Sequence, residues 1–251
     1  MRAHWALYVY EGVELGLFML AACLATVVLF GATSPMLHAV PSAALRRVLM
    51  GVAMGLTAIG IIHSPMGKRS GAHFNPAITL TYLRLGKIGG WDAIFYIVGQ
   101  FAGGAAGVAA SLLLVGRRLL AQPSVEYAVT VPGLGGTAGA FAAELFMATL
   151  LMGVVLWTTS QPRLAPWTSY LVGILIANYI FFFAPVSGFS INPARTVASA
   201  VFAGVWTALW VYFAAPLLGM LGAAEVYVRL LGSESVLGHG HRHGLSEGVR
   251  R

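Results

Sequence analysis

Charge is scarce in this chain. Only 9% of its 251 residues are Asp, Glu, Lys or Arg, against ~25% in an ordinary soluble domain. With 58% hydrophobic residues and a mean hydropathy of +0.81, that scarcity excludes a soluble globular fold and implies several membrane spans. Acidic residues are rarer still, 8 against 15 Lys and Arg. A positive balance can mark a nucleic-acid binder, but here the basic residues stand in ones and twos between apolar segments. They form no stripe with interleaved aromatics. No nucleic-acid partner is expected, and the charges are read as loop residues that orient the chain in a lipid bilayer. Cysteine is nearly absent: Cys23 alone, inside an apolar run, excludes an intrachain disulfide and leaves the redox compartment open. Also missing are a nucleotide-binding glycine loop, a His/Cys/Asp metal cluster and a nucleophile with its base. Neither an enzyme nor a cofactor or metal is therefore expected. The first apolar segment carries Glu11 and Glu14 and shows no small-residue cleavage site, so it reads as a retained span.

What is present is a stretch that occurs twice, as SGAHFNPAITL (Ser70 to Leu80) and SGFSINPARTV (Ser187 to Val197). Each copy is Ser-Gly, three residues, then Asn-Pro-Ala opening an apolar run. Asn is a preferred N-cap and Pro is tolerated at the first helical position. Each copy therefore predicts a non-helical approach followed by a short helix, from Asn75 to Gly86 and from Asn192 to Gly204. Ten or so residues at ~1.5 Å rise make about 15 Å, half of a hydrocarbon core about 30 Å thick.

Six longer apolar stretches surround them: Tyr8 to Gly31, Arg47 to His63, Trp91 to Val115, Thr137 to Ser160, Trp167 to Ala184 and Trp206 to Leu231. Each is near the ~20 residues a spanning helix needs, and turn residues separate them. The order Glu, Asn-Pro-Ala, Trp recurs as Glu14, Asn75, Trp91 and again as Glu144, Asn192, Trp206. Three spans per half is odd, so the second half is expected upside down relative to the first. The fold class is thus an all-α membrane protein: six transmembrane helices plus two re-entrant half-helices in an inverted three-plus-three repeat. One channel domain, residues 1–231, holds both repeats, about 8–115 and 137–231. The tail 232–251, with His239, His241 and His243, reads as a disordered end. An N-terminus-in topology puts Lys68, Arg69, Arg84, Lys87, Arg163, Arg229 and the terminal arginines in the cytoplasm. It leaves Arg46, Arg47, Arg117, Arg118 and Arg195 outside, the excess that positive-inside expects. Both termini are expected to be cytoplasmic and the location the cell (plasma or inner) membrane.

The chemistry follows from the capped tips. An Asn whose oxygen accepts from its own helix holds its NH2 outward as a donor, and the helix N-terminus behind it carries about half a positive charge. Two such tips facing each other, Asn75-Pro76-Ala77 and Asn192-Pro193-Ala194, offer donors to a water oxygen and repel cations. Non-helical backbone at this depth is tolerated where it lines a wet cavity, so the carbonyls of Gly71, Ala72, His73, Gly188 and Ser190 are candidate acceptors along the path. Arg195, with Ile78 as its counterpart in the first copy, is read as a filter cation rather than a snorkelling anchor, because an arginine at this depth is costly. Glu14 and Glu144 admit two readings, proton-relay carboxylates or acceptors for free loop N–H groups, and their matched positions favour the second. Gln100 reads as a buried polar tie. Gly51/Gly55 and Gly99/Gly103/Gly107, at four-residue spacing, permit close helix crossings.

On these residues the chain resembles the aquaporin and aquaglyceroporin family of major intrinsic proteins, over about Glu11 to Leu231. The resemblance implies one pore per subunit, a homotetramer, and a constriction made by Phe189, Arg195, Ile180 and either Met54 or Gly55. Phe189 looks like the glycerol-conducting branch, whereas Thr196 and Tyr212-Phe213 do not. The expected function is a passive channel for water, with an apolar wall at Ile180 and Phe189 admitting small neutral solutes. The alternatives are a glycerol or small-solute facilitator as the main role, an ion-coupled secondary transporter, and a non-conducting packing protein.

Overall fold

The computed structural model describes residues 4–231; residues 1–3 and the expected disordered tail, residues 232–251, lie outside them. Among the described residues eleven α-helices follow one another and no strand occurs. They are α1 (Trp5–Phe30), α2 (Met36–Ala39), α3 (Ala43–His63), α4 (Pro65–Ser70), α5 (Pro76–Arg84), α6 (Gly90–Val115), α7 (Arg117–Leu120), α8 (Gly136–Ser160), α9 (Thr168–Ser187), α10 (Pro193–Ala203) and α11 (Val211–Leu231). Six of them, α1, α3, α6, α8, α9 and α11, are long and apolar enough to cross a membrane. Their outward faces carry Leu56, Val98, Phe182 and Leu218, all exposed, as lipid contact requires. The short pair α5 and α10 are the two half-helices. Each begins at its proline with the preceding asparagine as cap, where Asn75 Oδ1 accepts from Ala77 N and Asn192 Oδ1 accepts from Ala194 N and Arg195 N.

The two halves pack by the same plan. In the first, α1 lies along α6; in the second, α8 lies along α11; α3 and α9 pair where the halves join. Each half-helix leans on the third span of the other half, α10 on α6 and α5 on α11. Glycine makes these crossings close. A Cβ on Gly103 would stand 1.9 Å from the carbonyl oxygen of Gly12, and one on Gly107 2.1 Å from that of Gly16. Across α3 and α9, a Cβ on Gly55 would stand 2.5 Å from Gly173 O and one on Gly51 2.6 Å from Ala177 O. Backbone meets backbone here, as small residues in membrane helices allow.

Several boundaries differ from the sequence reading by a few residues: the first span starts at Trp5 and the second at Ala43, and two other shifts have a clear local cause. The fifth span runs on to Ser187, because Pro185 sits in its last turn, where the carbonyls of Pro185 and Val186 accept from Leu134 N and Gly133 N, both at 2.9 Å. The sixth span starts at Val211 and not at Trp206. Gly204 (φ 70°) closes α10, and Ala208 (φ 50°) keeps the intervening residues in turns.

Candidate functional site

The site grows from two four-residue loops with one backbone. In the first, Gly71, Ala72 and Phe74 have φ of 91°, 50° and 28°; in the second, Gly188, Phe189 and Ile191 have 78°, 55° and 48°. Left-handed φ is ordinary for glycine but costs ~1–3 kcal/mol at a bulky residue unless its surroundings enforce it. Buried carboxylates supply that enforcement. Glu144 Oε1 accepts from Ser187 Oγ (2.7 Å) and Ser190 N (2.9 Å), and its Oε2 accepts from Ile191 N (2.5 Å). In the first half two residues divide this work. Ser70 Oγ donates to Glu14 Oε1 at 2.8 Å, while His73 N and Phe74 N donate to Glu11 at 2.9 and 2.7 Å.

The reading of Glu14 as the acceptor for loop N–H groups is thereby corrected: Glu11, one turn earlier, holds the backbone, and Glu14 holds only the serine. Its other oxygen is buried without a partner among the described residues. Gln100 is the tie expected of it, donating to Glu11 Oε2 (2.7 Å) and Thr79 Oγ1 (3.0 Å). A second matched pair escaped the sequence reading. Tyr96 donates to Ser70 O at 2.8 Å and Tyr212 to Ser187 O at 2.7 Å, each tyrosine lying a turn or so beyond a repeated tryptophan.

The half-helix tips meet. Asn75 Nδ2 donates to Ile191 O at 2.8 Å, and Asn192 Nδ2 donates to Phe74 O at 2.7 Å. Each amide therefore ties one hydrogen to the opposite loop and keeps one free. The expectation of two wholly free donors is refined accordingly. The carbonyl oxygens of Gly71, Ala72, His73, Gly188 and Ser190 accept no hydrogen bond among the described residues, as acceptors facing a solvent path must. His73 itself is turned away. Its ring packs on Tyr82 at 4.7 Å and meets Thr79 Oγ1 at 3.1 Å.

Two cavities of about 380 Å³ each lie along the two loops, and one of them reaches the tips. The one holding Arg195, outer in the topology expected from the charges, is lined by Met54, Ile180, Phe189 and Arg195, so the four expected filter residues share one wall system. Gly55 faces α9 instead, at the crossing already described, so of the two candidates it is Met54 that lines the cavity. The inner cavity is lined by Asn75, Asn192, Ala72, Ser190 and Ile191, among others. Both are lined by Phe18 and Phe189, which therefore stand where the two cavities adjoin. Phe18 was missed from the sequence, although it follows Glu11 by seven residues and Glu14 by four, on the same helix face. Arg195 is 8% exposed and its Nη1 has no partner among the described residues. No group of three or more His, Cys, Asp or Glu able to hold a metal occurs among the described residues.

Residues 10–227 match the family model described as Major intrinsic protein. The chain belongs to the major intrinsic protein family. Similar members include the probable aquaporin NIP-type of Nicotiana alata, 34% identical over 179 residues that make up 70% of this chain and 63% of that one. Another is the glycerol uptake facilitator protein-like 6 of Lactiplantibacillus plantarum, 34% identical over 192 residues, 74% of this chain and 85% of that one. The chain spans about three fifths of the length of the plant relatives it matches. Among solved structures the aquaglyceroporin from Plasmodium falciparum superposes with a TM-score of 0.75 at 19% identity, covering 92% of this chain and 98% of that one. That likeness is one of fold, and the family's members are multi-pass membrane proteins.

Proposed function

We propose that this chain is a passive, bidirectional channel for water that also admits small uncharged solutes. The observation that carries the reading is the reciprocal tie of Asn75 and Asn192 on the wall of one cavity, which a second cavity adjoins at Phe18 and Phe189. Each amide keeps one hydrogen for a passing oxygen, and free carbonyls on either side accept from the hydrogens of that molecule. No covalent step is involved; flow follows the gradient. Two helix N-termini and Arg195 place positive charge along one path, which raises the energy of any cation there. The functional unit is residues 1–231, and we read it as a homotetramer in the cell membrane with both termini cytoplasmic. The names of the similar proteins, an aquaporin and a glycerol facilitator, support the same class.

Stopped-flow light scattering of proteoliposomes tests the proposal. Reconstituted protein should shrink vesicles faster than protein-free controls, without saturation and with no ion gradient; equal rates would refute it. A glycerol-facilitator reading is favoured by one feature, the apolar wall of Phe18, Met54, Ile180 and Phe189 in the same cavity as the Arg195 guanidinium. Such a slot suits a solute with carbon on one side and hydroxyls on the other. Phe189→Ala should then raise glycerol flux several-fold in the same assay while water flux changes little. Arg195→Val should loosen exclusion of cations, read as proton or sodium leak into dye-loaded vesicles. An unchanged leak would remove Arg195 from the filter.

A further inference from the structure

The outer vestibule holds more positive charge than the filter uses. Arg47, Met50 and Met54 lie at i, i+3 and i+7 on one face of α3, and all three line the outer cavity with Arg195. Arg47 therefore stands about two turns, roughly 10 Å, outward of the filter methionine. Its Nε is buried without a hydrogen-bond partner, as is Nη1 of Arg195. Arg46, the next residue back, shares the unpartnered Nε but has other contacts. Its Nη1 donates to the carbonyls of Val40 (2.6 Å) and Pro41 (2.9 Å), and its guanidinium stands over Phe30. Those two loop carbonyls are taken by Arg46 and not by Arg47. One acid, Glu126, lines the same cavity and forms no ion pair with either arginine among the described residues.

A buried guanidinium nitrogen without an acceptor is costly, the more so because the donor is charged. Water relieves that cost in part. An anion relieves it better, because charge-assisted bonds are stronger and the guanidinium fork matches two oxygens of a carboxylate or sulfonate. The remaining walls, Phe18, Phe30, Met50, Met54 and Ile180, are apolar. A cavity of about 380 Å³ has room for a few heavy atoms beyond the head group.

We propose that the outer vestibule is a docking site for small organic monoanions, their charged head between Arg195 and Arg47 and a short apolar body on the methionine wall. Placing that cavity at the outer mouth of a pore rests on the channel reading above; the docking itself does not. An anion seated there stands in the path and lowers water permeability in both directions.

Methanesulfonate is the probe, since it stays ionised and does not cross lipid. Equilibrium dialysis of labelled methanesulfonate against purified protein in nanodiscs reads docking whether or not the protein conducts. Saturable binding in the millimolar range is expected. Arg47→Gln should weaken it about tenfold, the size of one charge-assisted hydrogen bond, and Arg47→Lys should recover part of the loss. Tetramethylammonium should not compete. In proteoliposomes of the unmodified protein, external methanesulfonate should lower water permeability saturably, whereas sodium chloride at equal osmolarity should not. Absence of saturable binding, or binding unchanged by Arg47→Gln, overturns the site. Binding without any water flux would uphold the site while refuting the channel.

Discussion

Glu144→Gln is expected to remove most of the stability of the protein in detergent and all measurable water flux, whereas Glu14→Gln should change both little. Glu144 accepts three hydrogen bonds with two oxygens. Glutamine brings one oxygen and one NH2, so either orientation sets a donor against a buried donor. If the NH2 takes the Oε2 position it meets Ile191 N; if it takes the Oε1 position it meets Ser190 N and Ser187 Oγ. Each orphaned donor costs ~1–3 kcal/mol, more where the lost acceptor was charged, and the left-handed Phe189 and Ile191 lose the group that holds them. At ~2–4 °C per kcal/mol for a chain of this size, the melting midpoint should fall by about 10 °C. Asn192 follows Ile191 directly, so the tip of α10 loses its register with Asn75. Glu14 is in a different position. Its one partner is Ser70 Oγ, and the other oxygen has none, so a glutamine can keep its oxygen on the serine and point its NH2 to the empty side. Glu11→Gln should resemble Glu144→Gln, because Glu11 accepts from two backbone N–H groups and Gln100. Thermal denaturation and stopped-flow flux of the three variants check this. If Glu14→Gln proved as damaging as Glu144→Gln, the division of labour between Glu11 and Glu14 would be wrong.

That division also shows where sequence reasoning reached and where it stopped. The spans were legible because a bilayer imposes a length and a hydropathy on every crossing, and the half-helices because Asn-Pro-Ala is a cap signal with a fixed geometry. The inverted repeat followed from counting spans. Residue pairing across the repeat was less legible. Glu14 and Glu144 are matched by order alone, and order cannot separate two carboxylates one helical turn apart on the same face. Only the loop N–H groups decide between them, and those directions depend on left-handed residues at Ala72, Phe74, Phe189 and Ile191, which no propensity would assign to non-glycine residues. Phe18 was hidden for another reason. A phenylalanine in an apolar span carries no mark of facing a pore; its phase relative to Glu11 was the one available signal, and the cavity linings revealed it. Met54 and Gly55 were separated by the crossing of α3 and α9, a tertiary fact with no local trace.

The crossing of α1 and α6 should be the least tolerant place in the molecule. Gly103→Ala is expected to yield little monodisperse protein, because the new methyl would lie 1.9 Å from Gly12 O and 2.4 Å from Gly12 Cα. Both are backbone atoms, so no side chain can rotate out of the way; the helices must separate by more than an ångström along their whole contact. The consequence reaches the pore by a short route. Glu11 is on α1 and Gln100 on α6, and their 2.7 Å bond spans this interface. Prising the helices apart lengthens that bond, frees the carboxylate that holds His73 and Phe74, and loosens the loop whose Phe74 carbonyl receives Asn192. Whatever protein survives should therefore conduct poorly as well as melt early. Gly60→Ala and Gly153→Ala are the controls, since nothing lies within 4 Å of a Cβ at either position and alanine is the better helix former by ~1 kcal/mol. Both should keep or slightly raise the melting midpoint in a fluorescence-detected size-exclusion assay of heated samples. A Gly103→Ala variant that elutes, melts and conducts like the unmodified chain would mean that α1 and α6 do not touch backbone to backbone.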